Sequence, residues 1–269
     1  MESRAVPRIV TYNVHSCIGT DRRHAPERIA EVLAALEPDI VALQELDVGR
    51  ARSGGVHQAE LIAQRLGMSM LFHPAVTVLE EQYGDAILST LPCRLVRASP
   101  LPGPARGLFL EPRGALWAEI SVAGRPLQVI NTHLGLLGAE RLLQSHALLG
   151  PDWLGHPNCQ PPLILAGDFN APSASATFRR LRRHLHEAQG SQPGRRLPTF
   201  PSRMPIMALD HLFYRGPVAV ERVSVVRTKL TRLASDHLPL VMDFQVGDLP
   251  DPAEADHPTA SGAAPVLSG

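Results

Sequence analysis

Apolar residues change their spacing twice within the first fifty positions. Ile9-Val10-Thr11-Tyr12 is β-branched and aromatic, which predicts a strand that ends at the polar stretch Asn13-Val14-His15. After Pro26, the residues Ile29, Val32, Leu33 and Leu36 recur at i, i+3, i+4 and i+7, the stripe of an amphipathic helix closed near Pro38. Ile40-Val41-Ala42-Leu43 is then a continuous apolar run, as in a strand covered on both faces, and it stops at Gln44-Glu45. The opening is β-α-β.

The alternation continues with a helix near His57 to Leu66 and strands near Ala86-Ile87-Leu88, Leu95-Val96, Leu116 to Val122 and Leu127 to Ile130. Helices are expected at Ala139 to Leu149 and Ala174 to His186, and strands at Leu163 to Ala166, Leu212-Phe213, Val218 to Val226 and Leu238 to Phe244. No repeat of fixed period is visible. Many strands with helices on outer faces predict one α/β domain over residues 1–246. From about Gly247 the chain turns to Pro, Ala, Asp, Ser and Gly, which predicts a disordered tail over 247–269.

Composition narrows the class. Lys+Arg and Asp+Glu number 26 each in 269 residues, so no global field draws in a polyanion. All the basic residues except Lys229 are arginine. No apolar run approaches the ~18 residues of a membrane span. Cys17, Cys93 and Cys159 are odd in number and lack a CxxC pair, so neither a disulfide framework nor a thiolate zinc site is expected. With an N-terminus lacking the apolar core of an export signal, the expected location is the cytoplasm.

The chemistry lies where polar residues interrupt the strands. Asn13, Glu45, His133, Asp168 with Asn170, Asp210 with His211, and Asp236 with His237 stand at or just beyond strand-like runs. In α/β sheets such strand ends meet at the ligand crevice, so residues scattered from 13 to 237 can converge. Cleaving a phosphoester with water needs a cation, a base and donors to the phosphate oxygens. Glu45, with Asp236, can supply carboxylates to Mg²⁺, for which Mn²⁺ is a substitute. Asp210 can orient His237, while Asn13, Asn170 and His133 can aim at phosphate oxygens.

Six segments also carry a resemblance. Thr11-Tyr12-Asn13-Val14, Leu43-Gln44-Glu45, Asn131-Thr132-His133-Leu134, Gly167-Asp168-Phe169-Asn170-Ala171-Pro172, Leu209-Asp210-His211 and Ser235-Asp236-His237-Leu238-Pro239-Leu240 are similar, in order, to the motifs of the endonuclease/exonuclease/phosphatase superfamily. The resemblance spans residues 8–244. It implies a two-sheet mixed β-sandwich flanked by helices on both outer faces, and Mg²⁺-dependent phosphoester hydrolysis. It further implies Glu45 and Asn13 at the metal, His237 paired with Asp210 as catalytic groups, Asp236 as the acidic residue preceding the catalytic histidine, and Asp168 with Asn170 at the attacking water and the phosphate. His133 resembles the second histidine of the nuclease and sphingomyelinase branches. Tyr83-Gly84-Asp85-Ala86 resembles a further family segment in which Asn is common at the last but one of these positions, and Asp85 is given no role.

Three readings follow. The leading one is a phosphodiesterase or phosphatase whose partner is a lipid headgroup or a small soluble phosphodiester. A DNA or RNA nuclease is the alternative, and a non-catalytic interaction protein is the third. The cluster Arg179, Arg180, Arg182 and Arg183 flanks the buried stripe Phe178, Leu181 and Leu185, so it is read as a solvated face, while Arg195 and Arg196 are better placed to touch substrate. His57 and Glu60 are read as a surface salt link.

Overall fold

The computed structural model describes residues 6–103, 110–191 and 197–247. The expected tail from 247, apart from Gly247, and the pair Arg195 and Arg196 lie outside these residues. In chain order the elements are β1 (Arg8–Asn13), α1 (Pro26–Leu36), β2 (Ile40–Val48), α2 (Gln58–Leu66), β3 (Ser69–Val78), β4 (Glu81–Ser89), β5 (Cys93–Pro100), β6 (Gly114–Val122) and β7 (Arg125–His133). There follow α3 (Gly138–Leu149), β8 (Leu163–Asp168), α4 (Ala176–Leu181), β9 (His186–Glu187), β10 (Asp210–Arg215), β11 (Val218–Val225), α5 (Lys229–Ala234) and β12 (Leu240–Val246).

Two six-stranded sheets result, in the orders β11-β12-β1-β2-β4-β3 and β5-β6-β7-β8-β10-β9. At the centre of each lies a parallel pair, β1 beside β2 and β7 beside β8, while the other pairings are antiparallel. A strand with one face toward the other sheet and one toward helices must be apolar on both, which is why β1, β2 and β8 read as unbroken runs. Ile9, Ile40, Ala42, Ile164 and Ala166 fill the layer between the sheets with Leu116, Leu240 and Phe244. Their neighbours Val10, Val41 and Leu43 turn outward against Ile29 and Leu33 of α1 and Ile62 of α2. On the opposite outer face Leu163, Leu165 and Phe213 pack with Leu148, Trp153 and Phe178. The mixed sandwich flanked by helices on both outer faces, expected from the sequence, is the fold observed.

Side chains alternate across a strand, so the inner-face set continues beyond the apolar layer. Continuing from Ile9, Thr11 and then Asn13 fall on the inner face of β1; from Ile40, Gln44 does so on β2; from Val129, Asn131 and His133 on β7; from Ile164, Asp168 on β8; and from Leu212, Asp210 on β10. One end of the sandwich interior is therefore polar. Gln44 Nε2 donates to Asn131 Oδ1 across the two sheets at 2.8 Å, and Asn131 Nδ2 returns hydrogen bonds to the Leu43 and Ala86 carbonyls at 2.8 Å each.

Two expectations are corrected. The helix after the Gly167–Pro172 segment runs only over Ala176–Leu181, because the chain then turns and His186–Glu187 pairs with Tyr214 and Phe213 of β10. Leu185 stays buried without helical backbone. His57 is not a salt-link partner of the Glu60 carboxylate but the N-cap of α2, its Nδ1 accepting from the Glu60 backbone N–H at 3.3 Å. The three cysteines are free, and no helix among the described residues is long and apolar enough to cross a membrane.

Candidate active site

Local backbone geometry places the Glu45 carboxylate within β2, which continues past the stop expected at Gln44-Glu45 to Val48. Between Leu43 and Leu46 the register against β4 shifts, so Gln44 and Glu45 form a bulge opposite Asp85. Glu45 takes a left-handed φ of 63°, a conformation that costs a side-chain-bearing residue about 1–3 kcal/mol. Asp85, given no role from the sequence, is buried opposite this bulge and accepts the Glu45 backbone N–H. Burial raises its pKa to about 8, with Arg113 opposing the rise. An amide can accept the same hydrogen bond without the desolvated charge. Asp85→Asn is thus expected to keep the melting temperature and activity near the parent, whereas Asp85→Ala, which strands a buried N–H, should lose about 1–3 kcal/mol in denaturant unfolding.

Gly167 does comparable work in the second sheet. A Cβ there would meet the Thr132 carbonyl oxygen at 1.8 Å, so only glycine lets β7 and β8 close with His133 opposite Asp168. Asp168 also stands opposite Asp210 across β8 and β10. His237 arrives from the loop before β12, anchored by Ser235, whose hydroxyl donates to the Asn13 carbonyl at 2.8 Å.

Seven of the eight residues given roles from the sequence meet in one network, with Asp236 beside it. Asn13 Nδ2 donates to Glu45 Oε1 at 2.9 Å and to Asp168 Oδ2 at 3.0 Å, bridging the two sheets. Asp168 Oδ1 accepts the Asn170 N–H at 2.8 Å. His237 Nδ1 hydrogen-bonds Asp210 Oδ2 at 2.8 Å, while its Nε2 lies 3.6 Å from Asp168 Oδ2. His133 Nε2 is 3.6 Å from the same Asp168 oxygen and 3.8 Å from Glu45 Oε1. Asp236 stands at the rim, its Oδ1 3.8 Å from His15 Nδ1.

Above the network opens a cavity of about 680 Å³. Glu45, His133, Asp168, Asn170, Asp236 and His237 line it, while Asn13 and Asp210 lie buried beneath. Sequence reasoning missed further lining groups, chiefly His15, Arg52, Tyr83, Glu111, Arg113 and Arg141. Phe200, Met207 and Leu209 give an apolar wall, and the Phe200 ring lies 4.8 Å from that of His237. None of Arg179, Arg180, Arg182 and Arg183 lines the cavity, consistent with a solvated face.

Charge is distributed unequally. Burial alone would lower the pKa of His237, but the carboxylates of Asp210 and Asp168 outweigh it and raise the group to about 10. Asp168 is pushed up by its own burial and by Asp210, against the opposing pull of His237. His133 is held well below the usual histidine value by burial, then by the charges of Arg113 and His237. The site thus combines an imidazolium, a neutral imidazole and a carboxylate of raised basicity.

Among the described residues, Asp168, Asp210 and His237 bring ligand-capable atoms within 4.8 Å of one another. Within that trio the short contact engages Asp210 Oδ2 and His237 Nδ1 with each other. The Glu45 and Asp236 carboxylates also line the cavity, no thiol does, and Asn13 braces Glu45 from below; these are oxygen donors of the kind a hard divalent cation takes.

A family model described as the Endonuclease/Exonuclease/phosphatase family matches residues 10–237. A search of curated proteins gives no match. Among solved structures, an endonuclease/exonuclease/phosphatase from Beutenbergia cavernae DSM 12333 is similar with 22% identity and a TM-score of 0.72, over 92% of this chain and 73% of that one. A mannosyl-6-phosphatase from Bacteroides thetaiotaomicron VPI-5482 aligns at 18% identity and TM-score 0.70, covering 89% and 99%. The human Nocturnin catalytic domain, solved with a sulfate anion, aligns at 22% identity and TM-score 0.67, covering 90% and 94%.

Proposed function

Because the chain belongs to the endonuclease/exonuclease/phosphatase family, whose chemistry is hydrolysis of phosphoester bonds, we propose that it is a Mg²⁺-dependent phosphodiesterase acting on a lipid headgroup or small soluble phosphodiester. The observation that carries this reading is His237 held between two buried carboxylates, Asp210 on Nδ1 and Asp168 facing Nε2, at the floor of an open cavity. Asp168 takes the proton of the attacking water, since its raised basicity suits a general base. His237, positively charged, directs Nε2–H toward a phosphoryl oxygen that lodges beside Asp168. Asp210 keeps the imidazolium oriented from below. Glu45 and Asp236, with Asn13 behind, would hold the cation, which when bound neutralises charge on the phosphoryl and leaving oxygens.

Overall charge favours a small or headgroup substrate over a polynucleotide. A duplex nuclease that neutralises six phosphates loses about 10³-fold in affinity between 50 and 200 mM salt. This chain has equal numbers of acidic and basic residues, and its arginine cluster stands away from the cavity. Hydrolysis of a bis-aryl phosphodiester, a phospholipid and a nucleic-acid panel, with Mg²⁺ and with chelator, is expected to give Mg²⁺-dependent turnover of phosphodiesters. Duplex binding, followed with the Glu45→Gln protein, should be weak and shallow in salt. Micromolar binding at 150 mM salt with a log–log slope steeper than about −4 would transfer the assignment to a nuclease.

A further inference from the structure

The two cavity histidines have opposite partners on Nδ1. His237 faces a carboxylate, whereas His133 Nδ1 lies 2.9 Å from Arg113 Nη1. A guanidinium carries donors only, so His133 can make that hydrogen bond only with a lone pair on Nδ1. A neutral imidazole has one N–H, which must then be on Nε2. That atom faces the Asp168 and Glu45 side of the network.

A competing donor makes the arrangement decisive. Asn170 Nδ2 lies 3.1 Å from His133 Nε2 and also donates to the Leu134 carbonyl at 2.9 Å. The ring stands between two donors and can accept from only one. Arg113 has the stronger claim, because it is charged, only 7% exposed, and held by Glu111 at 2.9 Å and by its carbonyl's hydrogen bond from the Leu101 N–H at 2.8 Å. Nothing in the sequence motifs marks this residue, which lies just ahead of β6.

We propose that Arg113 is a positioning residue that locks His133 in the Nε2–H tautomer, making it a neutral hydrogen-bond donor to a phosphoryl oxygen. The donor's target rests on the function proposed above; the tautomer does not. The two histidines then divide the work, His237 as a charged donor set by carboxylates and His133 as a neutral donor set by an arginine.

The test is ¹⁵N NMR of the imidazole nitrogens in the full-length protein at neutral pH, with His133 assigned by the signals missing from His133→Gln. The expected spectrum shows an unprotonated Nδ1 and a protonated Nε2. Arg113→Met leaves Asn170 as the facing donor and should move the proton to Nδ1, with kcat on the phosphodiester falling about 10²-fold and KM changing little. Arg113→Lys, still a donor, should keep the parent tautomer and most of kcat, which a merely space-filling role would not require. An unprotonated Nε2 or a doubly protonated ring in the parent protein overturns the proposal, as does an Arg113→Met protein with the parent tautomer. The parent spectrum decides even if Arg113→Met does not fold. It also separates this inference from failure of the functional reading, which would show as no turnover of any phosphodiester.

Discussion

Replacing His237 by alanine is expected to lower kcat by about 10²–10⁴-fold while the protein still melts cooperatively. The side chain contributes little to the apolar layers, being held by Asp210 and the Phe200 ring at the cavity floor. Its loss removes the proposed charged donor to the phosphoryl oxygen and leaves Asp168 and Asp210, both fully buried, without the cation between them. The proposed roles need Asp168 ionised and His237 protonated. Activity should therefore rise with pH as Asp168 loses its proton near 6, and fall as His237 loses its own near 10. In His237→Ala the alkaline fall should vanish from the residual rate. Asp210→Asn should do less harm, because the imidazole remains and Asp168 still faces it, and its alkaline limb should move to lower pH as one raising charge is lost. A pH–kcat series on the three proteins checks the order, and greater damage from Asp210→Asn than from His237→Ala would reverse the assigned roles.

Glu45→Gln should reduce Mg²⁺-dependent turnover by about 10²-fold or more at fixed metal concentration, several kcal/mol of transition-state stabilisation being at stake. The substitution exchanges a charge for an amide of equal size on an unchanged bulge, so unfolding in denaturant should stay close to the parent. The Asn13 amide donates to Glu45 Oε1 and can still donate to the glutamine carbonyl. The direct measurement is calorimetric titration of Mg²⁺ into both proteins, beside rate against Mg²⁺ concentration. Equal affinities and equal rates would remove Glu45 from the metal.

Much of the site was legible because it obeys the same period of two as the core. On the inner face Asp168 and Asp210 stand next to the apolar Ala166 and Leu212, and Asn13 and His133 lie one step beyond the polar Thr11 and Asn131, so polar residues ending apolar runs marked the polar end of the sandwich. Asp85 shows the limit of that rule. It stands within a strand, between Gly84 and Ala86, and its use depends on a bulge in the neighbouring strand that no local pattern declares. Arg52, Arg113 and Arg141 belong to no spacing at all; strand starts, turns and a helix bring them to the cavity. Among the elements, β3 escaped notice because Pro74 interrupts it, a residue tolerated there on an edge strand whose register shifts between Pro74 and Val76. Helix α5 is only six residues long and starts with a Thr228–Thr231 capping box, too short to display a stripe.

The hydrogen bond between Gln44 and Asn131 gives the sandwich a property that apolar packing cannot. Aliphatic layers tolerate sliding past one another, since hydrophobic attraction has no direction. A slip of one residue between the sheets would shift Glu45 by about 3.3 Å relative to Asp168, enough to undo the Asn13 bridge between them. It would also break three buried hydrogen bonds at once, the one from Gln44 to Asn131 and the two from Asn131 to the Leu43 and Ala86 carbonyls. This pair therefore acts as a mechanical detent, with Gln44 itself part of the bulge that presents Glu45. Catalytic alignment is set by the interlock of the two halves of the molecule, and a protein that loosens there should lose its precision of placement before it loses its shape.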